Sequence, residues 1–210
     1  MKKLFFSLVL TLAFFACSPS MKTTSSWVNT DKSVTEGKKY KTVFISVITS
    51  KLEVRTKLEN ELAMAVEKRG LIAIKSIDKF APISAGAKPS KEETLELIKK
   101  QGTDLILTTA VIDKTSETRY VQGTSTIYAP RYGYRGYYGG AWGYSDPGYY
   151  TTDKTYFLES NLFDAKSEAA IWSTQTEAYN PTSIEKSSKK YTELIITQME
   201  KDGVIKPIKK

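Results

Sequence analysis

Three apolar runs rich in β-branched residues organise the first half of this chain. Residues 42–49 (TVFISVIT), 71–77 (LIAIKSI) and 105–112 (LILTTAVI) lack the alternation of a one-sided strand, so each predicts a strand covered on both faces. Between the first two, Val54, Leu58, Leu62, Ala65 and Val66 recur at helical spacing and predict an amphipathic helix that stops at Gly70. Ser50, with Glu53 three residues on, has the form of a capping box at its start. Ser90 and Glu93 repeat that pattern ahead of a second helix, which Gly102 ends. The order β-α-β-α-β predicts parallel strands joined by right-handed crossovers.

The second half changes period. Residues 117–121 and 151–161 alternate polar with apolar or aromatic positions, 164–167 (DAKS) reads as a turn, and 169–178 follows as a strand centred on Ile171 and Trp172. Residues 181–185 (PTSIE) open a final helix with Ile184, Tyr191, Leu194, Ile195 and Met199 on one face, and Gly203 ends it. The fold class is therefore α/β, tending to α+β. It comprises a single domain over residues 40–205, with a mixed sheet of about five strands, antiparallel additions after the parallel core, a C-terminal helix and a basic tail at 206–210.

Residues 18–39 stand outside this pattern. Ser, Thr, Lys and Asn dominate, which reads as a flexible tether of about 22 residues with an r.m.s. reach of roughly 25 Å. Trp27 and Val28 interrupt it and are expected to dock on the domain edge, the alternative being the membrane interface. Before the tether, Lys2 and Lys3 precede an apolar run at 4–15 that is too short for the roughly 20 residues a membrane span requires. The stretch ends Phe14-Phe15-Ala16-Cys17, so residues 1–16 read as a secretory signal. With cysteine after the cut, it resembles the lipobox of bacterial lipoproteins, although Phe14 stands where that family usually has leucine. The resemblance implies that Cys17 is acylated and becomes the mature N-terminus. A lone cysteine has no disulfide partner within its own chain.

Catalytic chemistry is poorly provided for. The chain has no histidine, which excludes Ser-His-Asp and Cys-His catalysis and removes the commonest zinc ligand. Glu92, Glu93 and Glu96 sit where a helix start favours negative charge, and Glu59 and Glu61, beside Lys57, read as a solvated helix face. Asp104 and Asp113 bracket the third strand and Asp164 occupies a turn; only Asp113, at the expected C-terminal end of that strand, has the position of a ligand-binding group. Residues 84–88 (SAGAK) lack the spacing of a phosphate-binding loop. No catalytic residue, metal ligand or cofactor is assigned.

Charge adds little. Cleavage after residue 16 lowers the formal net charge from +8 to +6, and Lys186, Lys189 and Lys190, with Lys206, Lys209 and Lys210, read as solvated faces or contacts to anionic lipid. The unusual segment is residues 128–150 (YAPRYGYRGYYGGAWGYSDPGYY), which holds eight of the thirteen tyrosines and half of the twelve glycines. It is expected to be a long loop joining two strands, and loops above about 12–15 residues are commonly functional. Tyr132, Tyr134, Arg135, Tyr137, Tyr138, Trp142 and Tyr144 offer rigid rings and cation–π partners on an adaptable backbone, the composition of a recognition loop. Self-packing of the rings is the competing expectation.

Gly102-Thr103-Asp104 before an apolar strand, and an Asp164 turn followed by Trp172, resemble a group of uncharacterised bacterial lipoproteins. More distantly, the chain is similar to the small α/β domains of the curli-secretion lipoprotein and the Tol-system translocation protein. That resemblance implies a non-enzymatic envelope component that contacts another envelope protein. Ser18 after the cysteine, with no acid following, resembles lipoproteins sent to the outer membrane, and the expected orientation faces the periplasm. The alternatives are a glycan- or peptidoglycan-binding module using the aromatic loop and, less well supported, a carboxylate-dependent hydrolase. The expected partners are a membrane, through acyl chains on Cys17, and an envelope protein or glycan, with no nucleic acid.

Overall fold

A computed structural model describes residues 20–31, 37–80, 90–122 and 149–207. Residues 1–19, which include Cys17, most of the Tyr- and Gly-rich segment 128–150 and the last three residues of the chain lie outside these. Among the described residues, six strands and three helices follow in the order β1 (Met21–Val28), β2 (Thr42–Ile48), α1 (Leu52–Glu67), β3 (Ile72–Lys75), α2 (Lys91–Lys100), β4 (Leu105–Val121), β5 (Tyr149–Asp164), β6 (Ala170–Tyr179) and α3 (Ile184–Lys201). A 3₁₀ turn, Ser76–Asp78, follows β3. The strands form one mixed sheet in the order β1-β6-β5-β4-β2-β3. As the sequence pattern requires, β2 runs parallel to both β3 and β4. The fold is thus the expected α/β type.

Double coverage is visible in the side chains of β2 and β4, whereas β3, expected to be covered on both faces, is an edge strand with no buried residue and with Ile72 exposed. Val43, Ile45 and Val47 of β2, with Leu105 and Leu107 of β4, join the larger core with Leu58, Leu62 and Val66 of α1 and Tyr191, Ile195 and Met199 of α3. Phe44 and Ile106 point the other way, to Ile98 of α2 and Ala165, with Phe80 packing edge-on against Phe44 at 5.7 Å between ring centres. Trp172 is fully buried and its indole N–H donates to Asp202 at 2.8 Å, which ties β6 to the end of α3. A buried hydroxyl chain, Thr109 to Ser160 at 2.6 Å and Ser160 to Tyr191 at 2.9 Å, links β4, β5 and α3.

Two helix starts differ. At α2, Ser90 accepts the Glu93 amide at 3.1 Å and Glu93 accepts the Ser90 amide at 2.8 Å, so that capping box forms. At α1 it does not: Lys51 is the N-cap residue without a side-chain cap, because the Ser50 position falls one residue early. Gly70 and Gly102, which follow α1 and α2, both have positive φ (82° and 69°), the left-handed conformation in which glycine avoids a Cβ clash.

The segment expected to be a tether is partly folded. Met21–Val28 is an edge strand antiparallel to β6, in register from Met21 opposite Ala178 to Val28 opposite Trp172, with an irregularity between Thr23 and Ser25. The sheet consequently has six strands where about five are expected, and the fold begins near Ser20 and not near Tyr40. The physical reason is position: an edge strand buries little, so MKTTSSWV can be polar and still pair. Trp27 and Val28 dock on the domain edge as strand residues, both still partly exposed.

The described residues divide into two compact units, one comprising those up to Lys114 and from Tyr156 onward, the other Thr115–Thr155. In the second unit, the outer parts of β4 and β5 pair. Thr118 meets Thr152 at 3.2 Å, Arg119 pairs with Asp153 at 2.9 Å, and the rings of Tyr120 and Tyr150 lie 5.1 Å apart. The near-constant sum of these residue numbers marks an antiparallel pairing.

Candidate functional site

Polar side chains gather at the N-terminal ends of the parallel strands. One Asp104 oxygen accepts the backbone amides of Lys41 (2.8 Å) and Thr42 (3.0 Å) and the Thr42 hydroxyl (3.0 Å), locking the start of β2 to that of β4. Just before it, Thr103 donates its hydroxyl to the Ile98 carbonyl at 2.9 Å, closing the end of α2. Asp164, buried at the end of β5, accepts the Ser167 amide (2.7 Å) and hydroxyl (2.8 Å) on one oxygen. Its other oxygen takes the Lys38 ammonium (2.9 Å) and the Tyr40 hydroxyl (3.1 Å). The turn it organises places Glu168 at φ 61°, and the Ala165 amide donates to the Asp104 carbonyl at 2.9 Å.

These groups surround a recess of about 270 Å³ lined by Gly37, Lys38, Lys39, Tyr40, Asp104, Asp164 and Lys166. Its electrostatics are fixed by the hydrogen bonds. Burial alone would raise the Asp104 carboxyl, but the Lys41 and Thr42 amides outweigh it and hold the group below the usual range. Burial is likewise outweighed at Asp164, where Lys38, Ser167 and Tyr40 hold the carboxyl far below its ordinary value. The Tyr40 hydroxyl is pushed up to about 12, first by burial and then by its bond to Asp164. General acid catalysis by a carboxylate pair needs one member to keep its proton near neutral pH. Here both members are ionised and held by donors that brace the fold. The recess also opens at the end of the sheet opposite the one where α/β domains generally bind ligands.

The second cluster was read wrongly from the sequence. Glu59 is fully buried, not a solvated surface residue, and Arg55 beside it is 5% exposed. The Glu59 carboxylate accepts from Arg55 Nε (3.2 Å), the Ser76 hydroxyl and the amides of Val47 (3.1 Å) and Ile77 (2.8 Å). It thereby joins α1 to the ends of β2 and β3. The buried stripe of α1 is Arg55, Leu58, Glu59, Leu62, Ala63 and Val66; it shares Leu58, Leu62 and Val66 with the stripe expected from helical spacing but turns toward Arg55, Glu59 and Ala63 and away from Val54 and Ala65. Arg55 and Glu59, spaced i, i+4 and flanked by Leu58 and Leu62, were the available signal.

Of the other residues singled out by sequence, Asp113 is not at a strand end. It lies exposed within β4, which continues to Val121, and does not line the recess that Asp104 and Asp164 share. Glu92, Glu93 and Glu96 are on the exposed side of α2, as expected for a charged helix start. Cys17 and Tyr132, Tyr134, Arg135, Tyr137, Tyr138, Trp142 and Tyr144 lie outside the described residues. The flanks of that loop are described: Tyr120, Tyr149 and Tyr150 are 52%, 60% and 76% exposed. Among the described residues, no three His, Cys, Asp or Glu side chains converge as a metal site would need, and no helix is long and apolar enough to cross a membrane.

No family model matches the chain, and no curated protein matches it. Among solved structures, it is similar to the PelC dodecamer from Paraburkholderia phytofirmans, with 15% identity and a TM-score of 0.40 over 85% of this chain and 93% of that one. It is also similar to the lipoprotein GNA1162 from Neisseria meningitidis, with 9% identity and a TM-score of 0.43 over 77% and 99% of the two chains. Neither is the curli-secretion or Tol-system protein of the sequence resemblance. Likenesses this distant carry no functional argument.

Proposed function

We propose that this protein is a lipid-anchored component of the bacterial envelope, held at the outer membrane on the periplasmic side, that works by binding another envelope protein. The supporting observation is the aromatic surface on the paired outer strands. Tyr120 and Tyr150 touch each other yet stay largely exposed. Rings this exposed add little to folding, and tyrosine is a residue of interface centres and recognition loops. Tyr149 and Tyr150 close the Tyr- and Gly-rich segment 128–150, whose composition is that of a recognition loop.

Crosslinking in cells tests this reading. The intact protein is compared with a version lacking residues 128–150 and with the Tyr120→Ser/Tyr150→Ser double variant. The expected result is one crosslinked protein product that both variants lose; identical products in all three would remove the aromatic surface from the function. Titration of the intact protein with peptidoglycan fragments, followed by tryptophan fluorescence, addresses the glycan alternative. A saturable change there would replace a protein partner with a glycan.

A further inference from the structure

We propose that the end of the domain carrying Ser20, Tyr179 and the first turns of α3 docks directly on an anionic phospholipid bilayer. The proposal rests on the acylation of Cys17 put forward above and adds to it an orientation and a contact surface. Ser20 is pinned to the fold: its carbonyl accepts the Tyr179 amide at 2.8 Å and its hydroxyl accepts the Lys190 ammonium at 2.9 Å. Met21 after it is buried. Only three residue steps separate Cys17 from Ser20, a span of at most about 11 Å. Acyl chains on Cys17 lie in the hydrocarbon, and the headgroup layer alone is about 5–8 Å thick on each side. The fold therefore starts at the headgroups, and not on a tether of roughly 25 Å.

What the domain presents there has the chemistry of a headgroup contact. Lys22, Lys186, Lys189 and Lys190 are exposed at this end. The nearby acids are Glu177, already ion-paired with Lys22 at 3.1 Å, Glu185 and, one turn after Lys189, Glu193. Tyr179 is 43% exposed, and tyrosine favours the membrane interface, where its ring and hydroxyl each find a suitable layer. Lysines close to an anionic surface each strengthen attachment about fivefold. Strand β1 then leads away from this end; its eight residues at about 3.3 Å each carry the chain roughly 25 Å, toward the turn that Asp164 organises. In this orientation the Asp104–Asp164 recess faces away from the bilayer.

The test uses the full acylated chain in vesicles of phosphatidylcholine, with or without phosphatidylglycerol. Because acylation blocks Cys17, a fluorophore placed at Thr182→Cys reports the docking end and one at Gln101→Cys the opposite end. A headgroup-borne quencher is expected to quench position 182 strongly and position 101 weakly, only when phosphatidylglycerol is present. Lys186→Glu with Lys189→Glu, or high salt, should bring position 182 down to the level of position 101. Equal quenching at both positions in phosphatidylglycerol vesicles, with Cys17 shown to be acylated by mass spectrometry, would overturn docking and leave the anchor standing. Quenching unaffected by the lysine reversals would overturn the electrostatic contact. An unmodified Cys17 would remove the anchor and, with it, this proposal.

Discussion

Arg55 and Glu59, one turn apart on α1, form an ion pair at 3.2 Å with neither side chain open to solvent. The pair is also a junction. The same carboxylate satisfies the amides of Val47 and Ile77 and the Ser76 hydroxyl, so three chain segments converge on one charge.

Removing that charge should be among the most damaging single changes in the domain. Glu59→Ala leaves the buried Arg55 guanidinium without its counter-ion, held only by the Ser76 hydroxyl, and the amides of Val47 and Ile77 without a partner. It is expected to cost about 3–5 kcal/mol. Glu59→Gln keeps an acceptor oxygen and should lose less. An apolar replacement of both residues is not a rescue, because the amides of Val47 and Ile77 remain unpaired. Urea denaturation of the variants checks this; a loss below about 1 kcal/mol for Glu59→Ala would show that the junction does not carry the packing.

Stability should be flat across neutral pH and fall at both extremes. Asp164, Asp104, Glu159 and Asp202 are all held below their ordinary values, so the folded state favours their ionised forms. Their contribution is complete above the unfolded value near about 4 and is lost as pH falls through the folded ones. Tyr40, pushed up to about 12, contributes fully below its ordinary 10 and loses that contribution as pH rises toward 12. With no histidine in the chain, no side chain of ordinary pKa titrates between about pH 5 and 8. Asp164→Asn should cost about 2 kcal/mol at neutral pH and flatten the acid limb. Tyr40→Phe should flatten part of the alkaline limb. Thermal melts from pH 2 to 11 measure both, and a slope between pH 6 and 8 would contradict the assignment.

Two neighbours on α3 should respond in opposite directions. Tyr191 bonds to Ser160 in the buried hydroxyl chain, so Tyr191→Phe should destabilise by about 1–2 kcal/mol while keeping the ring in place. The Thr192 hydroxyl is buried without a protein partner, so Thr192→Val should be neutral or stabilising by up to about 1 kcal/mol. Equal losses from the two would show that the hydroxyls differ less than their surroundings indicate.

Truncation gives a further check on β1. Deleting residues 18–28 would be harmless to a tether, but here it strips an edge strand from β6 and uncovers Trp172 and Ala178 on their β1 side. A loss of several kcal/mol is expected, read by chemical denaturation; unchanged stability would mean that β1 only rests on the edge.

Legibility followed burial. The strands 42–49 and 105–112 were readable because a strand covered on both faces must be apolar at nearly every position. The Ser90 capping box was readable because its partners are local in sequence. Strand β1 was not, since an edge strand gains most of its order from hydrogen bonds to β6, about 150 residues away in the chain, which any polar sequence can make. The α1 stripe failed for a related reason: apolar periodicity points to Leu58, Leu62 and Val66 but cannot tell which flank turns inward when a charged pair is buried with them.

The sequence by itself determined the apolar strands, the parallel β-α-β-α-β order, the helix ends at glycine and the absence of histidine chemistry, because each follows from local periodicity or composition. Tertiary structure decided what Glu59, Asp104 and Asp164 do and where the fold begins relative to Cys17. A carboxylate's role depends on donors brought in from distant segments, and an edge strand exists only once its neighbour is in place.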